Sequence, residues 1–244
     1  MIEIKDLHKS FDDNEVLKGV DLVIPKGKTT VIIGRSGCGK SVLLKHIIGI
    51  MKPDSGEIFI EGRDIVKMKQ KEIYKLRAKF GFLFQGSALF DSLAVDENIG
   101  LALKENTNMT LDEIEKVVEE KLELVGLPGT QNMRPADLSG GMKKRVSLAR
   151  SLATNPEYVL YDEPTTGLDP VMADAIDDLI TDLAEKLKVT SIVVTHDIFS
   201  VYDVADMVAL MHEGKIYFHG TPKELVETKD KIIRNFLYRT DKRL

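Results

Sequence analysis

Apolar residues along this 244-residue chain follow two rhythms, and the points where one gives way to the other divide it. The opening MIEIKDLHKS alternates charged and apolar residues, which reads as a strand and not as a signal peptide. Residues 2–6, 19–24 and 29–33 are β-rich, and TTVII (29–33) is a strand of the continuous apolar type that is buried on both faces. It runs straight into GRSGCGKS (34–41), and VLLKHIIGI then spaces its apolar residues for one helical face. PDSG (53–56) is turn chemistry, EIFIEG alternates as a strand, 69–79 is a polar helix and FGFLF (80–84) a further buried strand.

From Gly86 to about Pro156 the pattern is mainly helical, with Thr110 and Glu113 spaced as a capping box before LDEIEKVVEEKLELVGL. Glycine and proline punctuation leads to LSGGM (138–142), directly ahead of the helical KKRVSLARSLA. Alternation then resumes: EYVLYD strand, PVMADAIDDLITDLAEKL helix, TSIVVTH strand, DIFSVYDVAD helix, MVALM strand. This order predicts an α/β protein with a mostly parallel sheet and helices on its faces. The expected layout is a nucleotide-binding core (1–85 and 156–220), a helical insertion (86–155) and a helical tail (221–244), all in one domain.

Composition narrows this only slightly. A net charge of −5, from 39 acidic and 34 basic residues, argues against a nucleic-acid partner. One cysteine, Cys38, excludes an intrachain disulfide and makes a reducing compartment the default. No apolar run reaches the length of a membrane span, so any membrane subunits are expected to be separate polypeptides.

The chemistry gathers at strand ends. GRSGCGKS fits the phosphate-loop pattern G-x-x-x-x-G-K-[ST], following a strand and opening a helix as that motif requires. Gly34, Gly37 and Gly39 let backbone N–H groups approach a triphosphate, Lys40 reaches its β/γ-phosphates and the Ser41 hydroxyl ligates Mg²⁺. The rest of the loop, Arg35, Ser36 and Cys38, with Val42 behind it, lines the same nucleotide. Asp162 and Glu163 end an apolar strand, where ligands of open α/β sheets bind. Asp162 suits the metal and its water shell, and Glu163 the attacking water as general base. His196 ends the next strand and can hold that water and the γ-phosphate; Gln85, beyond FGFLF, can sense metal and water. Ser139, Gly140 and Gly141 form a second helix start, readable either as an anion site or as a serine cap followed by flexible glycines.

The ordered set GRSGCGKS, Gln85, LSGGM, VLYDEP, TGLD (166–169) and His196 resembles the ATP-binding-cassette (ABC) ATPases across nearly the whole chain. The resemblance implies a RecA-like P-loop NTPase core, an N-terminal antiparallel β subdomain and an inserted α-helical subdomain, with ATP and Mg²⁺ as ligands. It implies a head-to-tail dimer, in which Ser139, Gly140, Gly141 and Met142 of one copy face the ATP held by the other. Asp169 matches the loop that contacts the partner cassette, Phe11 the aromatic that stacks on adenine, and Val16 packs nearby. The family's usual Gln is Met142 here, so any hydrogen bond from that Gln is absent or replaced.

LFQGSALFDSLAVDENI, RPADLSGGM and LYDEPTTGLDP resemble the ATPases of bacterial Mla-type lipid transporters, and Met142 fits that subgroup. The implied partners are an integral membrane permease and a mammalian-cell-entry-domain lipid-binding protein, with this subunit peripheral on the cytoplasmic face of the inner membrane. Leu89, Phe90, Leu93 and Val95 are candidates for the groove that receives the permease, or else ordinary packing of the insertion. In KDKIIRNFLYRTDKRL, Ile232, Ile233, Phe236 and Leu237 sit at helical spacing, for docking on the chain's own domain, on another subunit or regulator, or near anionic lipid. Transport of another substrate (amino acid, peptide or drug) is the alternative. A nucleic-acid or ribosome ATPase, or a P-loop kinase that gives LSGGM and His196 no role, comes after it.

Overall fold

The computed structural model describes residues 1–240, the last two by their backbone alone; Lys242 and Arg243 of the basic tail lie outside the described residues. In chain order the first elements are β1 (Ile2–Phe11), β2 (Asn14–Ile24), β3 (Thr29–Gly34), α1 (Lys40–Ile47), β4 (Ser55–Ile60), β5 (Arg63–Asp64), α2 (Gln70–Arg77) and β6 (Phe80–Leu83). Three helices follow: α3 (Val95–Asn106), α4 (Leu111–Leu124) and α5 (Gly140–Leu152). The chain closes with β7 (Tyr158–Asp162), α6 (Pro170–Leu187), β8 (Thr190–Thr195), α7 (Ile198–Val204), β9 (Met207–His212), β10 (Lys215–Gly220), α8 (Pro222–Glu227) and α9 (Lys231–Thr240).

Two sheets form. The first is antiparallel, in the order β2-β1-β4-β5. The second runs β10-β9-β3-β8-β7-β6, parallel from β9 to β6, with β10 antiparallel at its edge. β3 is central, and Thr30 is paired both with Ile192 of β8 and with Met207 of β9.

β1 and β2 extend well past residues 2–6 and 19–24 because the β1–β2 ladder is bulged at three places. Each bulge shifts the alternation by a residue, so the period-two signal fades along DLHKSF. β10 went unread as a strand. Its hairpin with β9 turns on Glu213 and Gly214, both at positive φ (48° and 82°), the geometry of a tight two-residue connection. The turn also reaches the other sheet, where the Lys18 backbone N–H donates to the Gly214 carbonyl at 2.9 Å.

Alternation along the central strands sorts side chains to the two faces of the parallel sheet. Ile32, Leu160 and Ile192 join the antiparallel sheet and Leu43, Leu44 and Ile47 of α1 in one cluster. Val31, Val159 and Val193 join Ile99 of α3, Val118 of α4, Val146 of α5 and Ile180 of α6 in the other. The inserted helices therefore share their core with the sheet. Ile233, Phe236 and Leu237 of α9 are buried in that second cluster, whereas Ile232 points outward at 37% exposure, so the tail docks on its own domain through three of the four residues. α6 meets α7 where Ser200 donates to Asp177 Oδ2 at 2.6 Å, in the interior. No helix among the described residues is long and apolar enough to cross a membrane.

Candidate nucleotide site

The loop between β3 and α1 is shaped by glycine. Gly37 (φ 80°) and Gly39 (φ 105°) occupy the left-handed region, which L side chains adopt only under strain. A Cβ on Gly39 would press on Leu17 and Val16 at 3.0–3.1 Å, while one on Gly37 would enter open space that a phosphate can use. Gly39 also stands at the N-cap of α1 with no side chain bonding the first-turn amides, which leaves them directed at an anion. Lys40 is buried, and its Nζ donates to the carbonyls of Gly34 (2.8 Å) and Arg35 (3.3 Å) and stands 3.8 Å from Glu163 Oε1.

A cavity of about 330 Å³ lies over this loop. Phe11 and Val16 wall one end, Ser36, Gly37, Gly39, Lys40, Ser41 and Val42 the middle, and Gln85 and Glu163 the far end. Gly34, Arg35 and Cys38 do not line it, and the first two serve through the carbonyls that hold Lys40. Ser41 Oγ donates to Asp162 Oδ1 at 2.8 Å, so a hydroxyl and a carboxylate from two elements meet beside the loop. Burial raises the Asp162 pKa above the usual carboxylate range, partly offset by the Ser41 hydrogen bond. Among the described residues no three His, Cys, Asp or Glu side chains could together hold a metal ion. A hard cation here fits with Ser41, Asp162, the nearby Gln85 amide oxygen and the oxygens of a bound phosphate, the all-oxygen donor set that Mg²⁺ prefers.

Glu163 leaves the strand in the left-handed region (φ 52°), its N–H donating to the Val194 carbonyl at 2.8 Å. Its Oε2 meets His196 Nδ1 at 2.6 Å and accepts from Thr166 Oγ1 at 3.0 Å. Oε1 is left facing Lys40. Thr166 was missed because a hydroxyl three residues after a carboxylate carries no sequence signal of its own.

The Gln85 side chain is exposed, and its backbone is tied down from α5. Lys144 Nζ donates to the Gln85 carbonyl at 2.6 Å and reaches the Glu163 carbonyl at 3.5 Å. One turn on, Ser147 Oγ donates to the Ser87 carbonyl (2.8 Å), and Arg150 donates to those of Ser87 (3.0 Å) and Ala88 (2.7 Å). Ser87 (φ 62°) and Ala88 (φ 49°) are both left-handed, at a cost of about 1–2 kcal/mol each, so the loop's shape depends on these ties. Lys144, Ser147 and Arg150 recur every third residue, on one helical face. That spacing was the one available hint, and sequence reading passed over it. Burial lowers the Lys144 pKa, opposed by Asp162 and Glu163.

Ser139, Gly140, Gly141, Met142 and Asp169 do not line the cavity. Ser139 caps α5 by accepting from the Met142 N–H at 3.3 Å, and Asp169 caps α6 by accepting from the Met172 N–H at 3.1 Å. Ser139 and Gly140 are exposed, while Gly141 is buried with the flexible end of Met172 beside it. The apolar stretch after Gln85 splits. Val95 is fully buried and Leu89 packs against the core, while Phe90 is 51% exposed and Leu93 lines a groove between α3 and α4 of about 340 Å³.

Residues 17–166 match the family model described as ABC transporter. The chain is 41% identical over 237 residues to a protein of Mycobacterium leprae named a probable ribonucleotide transport ATP-binding protein, covering 97% of this chain and 68% of that one. It is 39% identical over 237 residues to the intermembrane phospholipid transport system ATP-binding protein MlaF of Haemophilus influenzae, covering 97% and 90%. Among solved structures it is similar to the dimeric ATP-binding cassette MJ0796 in a post-hydrolysis state bound to ADP and Pi, at TM-score 0.82 and 33% identity, over 91% of this chain and 99% of that one.

Proposed function

The chain belongs to the ABC transporter family and is an ATPase, and from that premise we propose that it powers a transporter moving phospholipid across a bacterial envelope. The observation that carries the catalytic part is the convergence of Lys40, Ser41, Asp162, Glu163 and His196 at the tips of three adjacent parallel strands. Phe11 and Val16 receive the base, the loop from Gly34 to Ser41 the phosphates, and Lys40 leaves its carbonyl partners for the β/γ-phosphates. Ser41, Asp162 and Gln85 would hold Mg²⁺, which would supply charge neutralisation on the phosphates when bound. Glu163 takes the proton of the attacking water at Oε1, because Oε2 is committed to His196 and Thr166. Ser139 and Gly140, exposed and away from the cavity, meet the nucleotide of a second copy, and Asp169 contacts that copy.

The substrate reading rests on MlaF, whose length the chain covers to 90%. On this reading the subunit sits on the cytoplasmic face of the inner membrane, with a permease seated near Leu93 and Phe90 and a mammalian-cell-entry-domain protein beyond it. The ribonucleotide name of the mycobacterial relative supports a second reading. The test is reconstitution of the complex that co-purifies with this chain into vesicles holding labelled phospholipid or labelled ribonucleotide. ATP-dependent movement of the lipid is expected, lost in Glu163→Gln together with a roughly 10³-fold fall in turnover. Movement of the nucleotide alone overturns the lipid assignment.

A further inference from the structure

The ties from α5 to the loops beneath it serve no contact with nucleotide, and one of them reaches two places at once. We propose that Lys144 is a positioning residue for ATP hydrolysis: its ammonium grips the main-chain carbonyls of Gln85 and Glu163, so that the helix tipped by Ser139 and Gly140 and the loops carrying the metal-side and water-side groups move as one body. The inference rests on the roles given above to Gln85 and Glu163.

Three observations support it. Lys144 is only 5% exposed, so its three donors must be used inside the protein, and the two carbonyls lie within its reach at 2.6 and 3.5 Å. Both carbonyls belong to residues beyond a strand end, Gln85 after β6 and Glu163 after β7; the Glu163 carbonyl also accepts from the Thr166 N–H at 3.3 Å, so there Lys144 joins a turn already in place. Glu163 is moreover left-handed, a conformation that needs support from its surroundings. The remaining ties along α5, from Ser147 and Arg150, hold Ser87 and Ala88 and do not touch Glu163. Lys144 alone among the three reaches both catalytic loops. It sits five residues into α5, about one turn from the exposed tip, so displacement of that tip by a partner's nucleotide is passed to both carbonyls with little loss.

The experiment compares Lys144→Met, Lys144→Gln and Lys144→Arg in the intact chain, measuring kcat, the MgATP dissociation constant and Tm. Methionine matches the volume and removes every donor; glutamine and arginine keep donors. The expected result is a roughly 10- to 100-fold fall in kcat for Lys144→Met, the scale of a catalytic group displaced by about an ångström, with MgATP affinity within about threefold of wild type. Lys144→Arg and Lys144→Gln recover most of the loss. Three results overturn the proposal: Lys144→Met keeping more than about half of kcat, all three variants falling equally, or kcat falling only in step with MgATP affinity. Should Lys144→Met not fold, the comparison of Lys144→Gln with Lys144→Arg decides, since a positioning donor predicts activity in both. Glu163→Gln, run alongside, keeps the two ideas apart: full turnover in that variant sinks the general-base reading whatever Lys144 does.

Discussion

Two helices of this protein begin with glycine beside a serine or lysine, and they treat their first turn in opposite ways. At α1 the N-cap is Gly39, no side chain answers the leading amides, and Lys40 and Ser41 are held in place by contacts beneath the loop. At α5 the N-cap is Ser139, whose own hydroxyl accepts from the Met142 N–H, and Gly141 is pressed against Met172. The first is a cradle complete within one chain. The second is half satisfied, exposed at Ser139 and Gly140, and braced from behind by α6. The difference teaches that two similar glycine-rich starts are told apart by what already occupies the amides, open at α1 and capped by a serine at α5.

Three substitutions break or sharpen that contrast. Lys40→Ala strikes the complete cradle: MgATP binding by the chain weakens roughly 100-fold, the scale of two charge-assisted hydrogen bonds, and turnover disappears with it, as nucleotide titration would record. Ser139→Arg strikes the contact surface, so binding by the isolated chain stays within about twofold while turnover of the self-assembled protein drops by more than about tenfold. Mixing the two variants restores at most one site per pair, and a mixture as active as wild type refutes the division of labour. The smallest effect concerns the support behind α5. Burial, with Asp197, Asp203 and Asp174 adding, pushes Asp177 up to about 7 against the lowering effect of the Ser200 hydrogen bond. A raised carboxyl pKa favours the folded state below about pH 4, and that advantage is lost as pH climbs through 7. Asp177→Asn is therefore expected to raise stability by about 1–3 kcal/mol at pH 8 and to change it little at pH 4, read from Tm at the two values. Loss of stability at pH 8 would show that the carboxylate is held there by a partner.

Much of this was legible from residue order. The phosphate loop announces itself through glycine spacing between a buried strand and a helix, and Asp162, Glu163, His196 and Gln85 are found by asking which polar residues end apolar strands. What stayed hidden depends on contacts between distant parts of the chain. The bulged ladder of β1 with β2 erased the alternation that marks a strand, and β10 becomes a strand by pairing across Glu213 and Gly214 with β9. The grip of Lys144, Ser147 and Arg150 on Gln85, Ser87 and Ala88 spans about sixty residues of sequence and uses backbone acceptors, which every residue possesses. The Met172 methyl beside Gly141 stayed hidden in the same way, because only the neighbouring helix reveals it.

The central place of β3 bears on how the protein is made. Its two neighbours, β8 and β9, are synthesised more than 150 residues after it, so the strand that ends in the phosphate loop emerges from the ribosome with no sheet to join. A nascent chain halted before Thr190 has the glycine loop but neither flank that holds it in register, and long-range parallel pairing of this kind is slow to close. A chain cut before Thr190 therefore lacks both strands that flank the one leading into the phosphate loop.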